Sequence, residues 1–109
     1  MRLESAQVIG RPPEEVFGFL ADARDEVRRN EWARRVEQLS DGPVGRGARF
    51  HGSFKNSGEL EFDLAEYERP RRSQQYNRTG SGELRHTHAL EPVPGGTRVW
   101  QQGLFAPRG

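Results

Sequence analysis

The stretch SQQYNRTGSGELRHTHALEPVPGGTRVWQQGLF (residues 73–105) decides the fold of this chain. Turn signals at Gly80-Ser81-Gly82 and at Pro92 to Gly96 divide it into three pieces at hairpin spacing. Each piece has the length of an ordinary strand. We therefore predict consecutive antiparallel strands near Ser73 to Thr79, Leu84 to Glu91 and Thr97 to Phe105.

The same period-two pattern continues upstream. Apolar residues alternate in two further runs, which are separated by the turn at 56–58: Ala48, Phe50, Gly52 and Phe54, then Leu60, Phe62 and Leu64. A strong turn signal at 40–43 precedes them and follows an extended run through Val36. Arg2 to Ile9 also alternates and predicts a first strand. The chain therefore predicts seven strands in all.

Two helices are predicted after the first strand. Pro13 suits the first turn of a helix, where the negative charges of Glu14 and Glu15 interact favourably with the positive end of the helix dipole. Val16, Phe19 and Leu20 share one face of this helix. A second, very polar helix is predicted from about Arg24 to Asn30. The order β-α-α-β-β-β-β-β-β is typical of an α+β domain with its helices on one side of an antiparallel sheet.

Composition narrows the class of protein. The chain has 109 residues, 32% hydrophobic and 30% charged, with a net charge of +1, which indicates one domain with a small core. The absence of cysteine excludes disulfides, zinc–thiolate sites and thiol nucleophiles. Arginines are interleaved with acidic residues, so no basic patch predicts nucleic-acid binding. We find no secretory signal pattern and no apolar run long enough to span a membrane, and we expect a cytoplasmic location without membrane insertion.

Five segments carry a family resemblance: PPEEVFGFLAD (12–22), Trp32, LSDGPVGRGARF (39–50), LAEYERPRR (64–72) and ALEPVPGGTRV (89–99). In this order and spacing they resemble the polyketide cyclase/dehydrase and lipid-transport family of the START-like (Bet v 1-like, SRPBCC) superfamily. The resemblance covers residues 3 to about 105. It implies a helix-grip fold, in which a strongly curved seven-stranded antiparallel sheet encloses a cavity beneath a long C-terminal helix. Members of the family carry lipids, sterols, quinones or aromatic polyketides, and some are cyclases or dehydratases.

The chain departs from that pattern at its end, because nothing after Phe105 supplies the long helix. We expect residues 1–109 to form a single domain of this type. Either the sequence is a C-terminally truncated piece, or a partner subunit covers the cavity, or the site is unusually open. An uncovered apolar face is rare in monomers, so this departure favours a homodimer.

Strand parity predicts which side chains face the cavity, since side chains alternate across a sheet. Taking Leu84, Leu90 and Val99 as inward brings a polar strip inward with them. The predicted ligand contacts combine that strip with an apolar wall: Trp32, Phe50, Phe54, Leu60, Phe62, Leu64, Gln75, Asn77, His86, His88 and Gln101. Apolar walls with a few convergent polar groups are typical of a ligand site.

His86 and His88 admit three interpretations. They are candidate acid–base catalysts, since a histidine near neutrality can move a proton. Their H-x-H spacing also suits a metal, but the third ligand is missing, and we predict neither a metal nor a cofactor. The third interpretation is that both histidines only form hydrogen bonds.

The function predicted from these residues and the resemblance is binding or transport of a hydrophobic small molecule of lipid, quinone or aromatic polyketide type. One alternative is a cyclase or dehydratase that uses His86 and His88, so the sequence leaves open whether the chain is an enzyme. Another is a protein-interaction module whose open groove accepts a helix of a partner.

Overall fold

The computed structural model describes residues 2–21, 33–55, 58–79 and 81–107. In chain order the elements are β1 (Arg2–Ile9), α1 (Pro13–Ala21), β2 (Ala33–Gln38), β3 (Arg49–Phe54), β4 (Gly58–Glu68), β5 (Arg72–Thr79), β6 (Gly82–Val93) and β7 (Gly96–Pro107). The predicted seven strands and first helix are confirmed. The predicted second helix and Trp32 lie outside the described residues.

All seven strands form one antiparallel sheet in the order β1-β7-β6-β5-β4-β3-β2. Strands β2 to β7 form the predicted meander, each pairing with its neighbour in the chain. Strand β1 instead pairs with β7 along its whole length, from Arg2 opposite Leu104 to Ile9 opposite Thr97. The fold is therefore the predicted α+β class, with a curved sheet whose two edges are β1 and β2.

Strand pairing assigns each side chain to a face, because residues opposite each other in an antiparallel pair point to the same side. Helix α1 packs on one side, where Val16 and Phe17 form a buried cluster with Leu90 and Val99. We call this side the inner face. From β1 through β7, β6, β5, β4 and β3 to β2 it comprises Leu3, Ser5, Gln7 and Ile9; Thr97, Val99, Gln101, Gly103 and Phe105; Leu84, His86, His88, Leu90 and Pro92; Ser73, Gln75 and Asn77; Leu60, Phe62, Leu64 and Tyr67; Phe50, Gly52 and Phe54; and Ala33, Val36 and Gln38.

Arg69, in the turn between β4 and β5, fastens α1 to the sheet. Its Nε and Nη2 donate to Glu14 Oε2 at 3.3 and 3.0 Å, and its Nη1 donates to the Tyr67 hydroxyl at 3.0 Å. Its guanidinium also lies 5.1 Å from the centre of the Phe17 ring, within the range of a cation–π contact. The hydrogen bond to Tyr67, followed by the one to Glu14, raises the pKa of Arg69. These contacts hold the first turns of α1 over one end of the inner face.

None of the helices formed by the described ranges is long and apolar enough to cross a membrane.

Candidate ligand-binding site

One half of the inner face is a closed core, which we call the closed half: Ala48, Phe50, Phe62 and Leu64. The rings of Phe50 and Phe62 stack with centroids 5.4 Å apart and planes 12° apart. Phe50 is fully buried, and Leu64 is only 1% exposed. These side chains pack against one another and leave almost no exposed surface that a ligand could contact.

Beside the buried cluster under α1, the inner face opens into a cleft of about 340 Å³ at the β1–β7–β6 side of the sheet. We call it the open cleft, and its lining is Leu3, Glu4, Ser5, Leu84, His86, Gln101, Gln102 and Gly103. Its size lies at the lower end of the range of small-molecule sites, which is about 300–1,000 Å³. Leu3 and Leu84 supply apolar walls, while His86 and Gln101 supply hydrogen-bonding groups.

The missing side chain of Gly103 creates much of this space. Gly103 lies directly between His86 on β6 and Leu3 on β1 in the strand register. A Cβ atom built at Gly103 would meet no other atom within 4 Å. Among His86, Gly103 and Leu3, which lie side by side on the inner face, only Gly103 has no side chain, and the cleft is open at that position.

A strip of polar side chains borders the open cleft. Gln75 lies opposite His86, and His88 lies opposite Gln101, so the strip crosses β5, β6 and β7. The ring centroids of His86 and His88 are 4.6 Å apart, with planes tilted by 48°. His88 is 7% exposed and thus lies deeper than His86, which is half-buried. Asn77 is also buried, and its Nδ2 donates to the Leu84 carbonyl oxygen at 3.3 Å.

The predicted ligand contacts therefore separate into groups. His86 and Gln101 line the open cleft, and His88, Gln75 and Asn77 border it. Three predicted contacts lie in the closed half, while two are half-buried beside it: Phe50, Phe62 and Leu64, then Phe54 and Leu60. That any of these residues binds a ligand, or that His86 and His88 are catalytic, stays a prediction.

Residues of β1 were missed by the sequence analysis. Leu3 and Ser5 line the open cleft because β1 pairs with β7, a contact between the two ends of the chain. The alternation of residues 2–9 predicted the strand, but no local signal identified its neighbour in the sheet. The missing information was the long-range pairing and not the strand itself.

Charge is distributed unequally between the two faces. In the described strands, no residue of the inner face is Asp, Glu, Lys or Arg. Charged side chains with a register partner lie on the opposite, outer face, including the pairs Arg49–Asp63 and Glu91–Arg98. Charges therefore remain hydrated on the outer face, and the inner face offers only neutral hydrogen-bonding groups and His.

Glu4 is the one carboxylate residue at the rim of the open cleft, and its strand register places it on the outer face opposite Gln102. Its Oε1 accepts hydrogen bonds from Arg2 Nη2 at 2.6 Å and Gln102 Nε2 at 2.9 Å. The bond from Arg2 is the main cause that lowers the pKa of Glu4 below its ordinary value. The carboxylate is thus held ionised and paired outside the cleft.

A second cleft of about 410 Å³ lies between α1 and β1, lined by Gln7, Ile9, Arg11, Glu15, Val16, Phe19 and Leu20. Its lining contains both members of a surface ion pair, Arg11–Glu15 at 3.6 Å. Within the part of the chain that the structure describes, no three His, Asp or Glu side chains are grouped to hold a metal ion.

Residues 1–109 match the family described as polyketide cyclase / dehydrase and lipid transport. The chain belongs to this family. The comparison with curated proteins found no match. Membership and fold together support a function in hydrophobic-ligand binding or of polyketide-cyclase type.

Several solved structures share the fold of this chain. A START superfamily protein from Mycobacterium smegmatis is 10% identical, with a TM-score of 0.82 over 99% of this chain and 78% of that chain. The Zhui aromatase/cyclase from Streptomyces sp. R1128 is 14% identical, with a TM-score of 0.78 over 100% of this chain and 69% of that chain. DR_A0006 from Deinococcus radiodurans is 23% identical, with a TM-score of 0.72 over 98% and 83%. These likenesses establish the predicted helix-grip fold.

Proposed function

We propose that this protein binds a hydrophobic small molecule in the open cleft and acts as a carrier. The observation that supports the proposal most directly is the cleft itself, whose lining combines Leu3 and Leu84 with His86 and Gln101. Apolar walls hold the body of a ligand, and a few polar groups fix its orientation. Lipids, quinones and aromatic polyketides have this combination of an apolar body with a few oxygen atoms.

A cyclase or dehydratase is the second candidate, and the close approach of the His86 and His88 rings supports it. A pair of imidazoles on a ligand-facing wall could accept a proton from a polyketone and return it to a leaving hydroxyl. The double substitution His86→Phe/His88→Phe separates the two candidates. A carrier keeps its affinity for a bound ligand, whereas an enzyme loses turnover of its polyketone substrate with binding largely intact.

Two matched fluorescent probes test the binding proposal. N-phenyl-1-naphthylamine is neutral, and 1-anilinonaphthalene-8-sulfonate has the same rings with one added sulfonate. We expect at least one of them to bind saturably, as measured by its emission during titration with protein. Gly103→Leu places a side chain in the open space of the cleft and should weaken that binding at least roughly tenfold, because the ligand loses its apolar contacts.

Gly45→Leu is the matched control. Gly45 lies in the loop before β3, away from the cleft lining, and a Cβ atom there also meets nothing within 4 Å. This variant should bind the probe like the wild-type protein. The proposal is wrong if neither probe saturates, or if Gly103→Leu and Gly45→Leu bind equally well while both remain folded by circular dichroism.

A further inference from the structure

We infer that the open cleft selects an electrically neutral ligand and discriminates against anions such as carboxylates and sulfonates. The inference rests on the proposed function, since it concerns the ligand of the same site. It narrows the ligand to neutral molecules that combine an apolar body with carbonyl or hydroxyl groups.

The strand register carries the first step of this argument. The inner-face rows that cross the open cleft from β4 to β1 contain no Asp, Glu, Lys or Arg. One such row runs Leu64, Gln75, His86, Gly103, Leu3, and the next runs Tyr67, Ser73, His88, Gln101, Ser5. In these described rows an entering anion meets no Lys or Arg side chain.

The second step is the cost of moving a charge out of water. An ionised group that enters a partly apolar site loses hydration, and only an opposite charge or several strong hydrogen bonds restore that loss. A neutral carbonyl or hydroxyl loses much less hydration. Amide groups such as those of Gln75 and Gln101 can satisfy it with ordinary hydrogen bonds.

The nearest charged groups do not reverse this preference. At the rim, Glu4 is an ionised carboxylate that already pairs with Arg2 on the outer face, so it offers an anion no attraction. The net charge of the chain is +1, so the protein as a whole does not repel anions. Selection against anions therefore has a local origin in the lining of the cleft.

The two naphthalene probes measure this selectivity directly, because they differ only in the sulfonate. The titrations are made at pH 8, above the interval in which histidine ordinarily takes up a proton. Only the part of the binding signal that Gly103→Leu abolishes is assigned to the open cleft. This excludes probe bound elsewhere, for example beside Arg11 in the second cleft. We expect the neutral probe to bind at least roughly tenfold more tightly than the sulfonate.

A charge placed in the lining controls for the greater hydrophobicity of the neutral probe. Gln101→Arg supplies a cation to the cleft, and Gln101→Met supplies a side chain of similar length without charge. The affinity for the sulfonate probe divided by the affinity for the neutral probe should be at least roughly tenfold higher in Gln101→Arg than in Gln101→Met.

The inference is overturned if the wild-type cleft binds the sulfonate as tightly as the neutral probe. It is also overturned if Gln101→Arg and Gln101→Met give the same ratio. Failure of both probes to bind would instead contradict the proposed function itself, so the two failures are distinguishable.

Discussion

Phe50 and Phe62 fill the β3–β4 side of the inner face with stacked rings, whereas Gly103 and Ser5 leave a cleft on the β1–β7 side. Both sides belong to the same sheet and are built by the same alternation of side chains. They differ in side-chain volume. In the closed half, Phe50 of β3 lies opposite Phe62 of β4. Around the open cleft, which we call the open half, Gly103 of β7 lies opposite Leu3 of β1, and Gln101 lies opposite Ser5.

This difference shows that a strand pattern and a cavity are specified separately. Alternation decides which side chains point inward, and their volumes decide whether the inward space becomes core or cleft. The closed half can therefore supply much of the stability of the sheet. The open half then remains available to a ligand, because fewer core contacts depend on it.

A matched pair of leucines tests this division with the largest expected effect. Leu64 is buried in the closed half, and Leu84 is a half-buried wall of the open cleft. Leu64→Ala should lower the free energy of unfolding by about 2–5 kcal/mol, because it leaves a closed cavity in a packed cluster. Leu84→Ala should cost about 1 kcal/mol or less, because its methyl groups border space that is already open.

Urea denaturation followed by far-ultraviolet circular dichroism measures both values under the same conditions. Equal losses for the two variants would contradict the division, because they would mean that the open half is as much a part of the core as the closed half.

Most of the fold could be predicted from local signals. The turns at 80–82 and 92–96 separate strands whose bounds the structure extends by no more than two residues at either end. Inward parity was predictable for His86, His88 and Gln101 because β6 and β7 carry apolar markers, Leu84, Leu90 and Val99. Strand β5 has no apolar residue on its inner face, so Gln75 and Asn77 were placed inward without such a marker. A family resemblance then supplied the curvature of the sheet, which no single segment of this sequence specifies.

The site was predictable only in part, for two physical reasons. Pairing between β1 and β7 joins residues about a hundred positions apart, so Leu3 and Ser5 could not be assigned to the cleft. Packing within the inner face depends on how closely the curvature of the sheet brings side chains together. The alternation of a strand predicts the face on which a side chain lies, but not its distance from side chains on other strands. For this reason Phe50 and Leu64 were expected at a ligand-facing wall, although the structure packs them into a closed core.

Two glycines on the inner face test the same difference between the closed half and the open cleft, with a smaller expected change in the free energy of unfolding. A Cβ atom at Gly52, on β3 next to the closed half, would lie 2.6 Å from Phe54 Cε2 and 3.5 Å from Phe62 Cε1. Gly52→Ala should therefore lower the free energy of unfolding by about 1–3 kcal/mol, because the rings must move in a packed region. A Cβ atom at Gly103 meets nothing within 4 Å, so Gly103→Ala should be neutral or stabilising by about 0.5–1 kcal/mol.

The double variant Gly52→Ala/Phe54→Ala identifies the cause of the expected loss. If the clash with the Phe54 ring destabilises Gly52→Ala, the same substitution should cost much less when it is made in a Phe54→Ala background, as a double-mutant cycle measures. An unchanged cost in that background would show that the backbone of Gly52, and not the ring, sets the requirement for glycine. A destabilised Gly103→Ala would contradict the comparison itself, because it would mean that the open half is already as tightly packed as the half around Phe50.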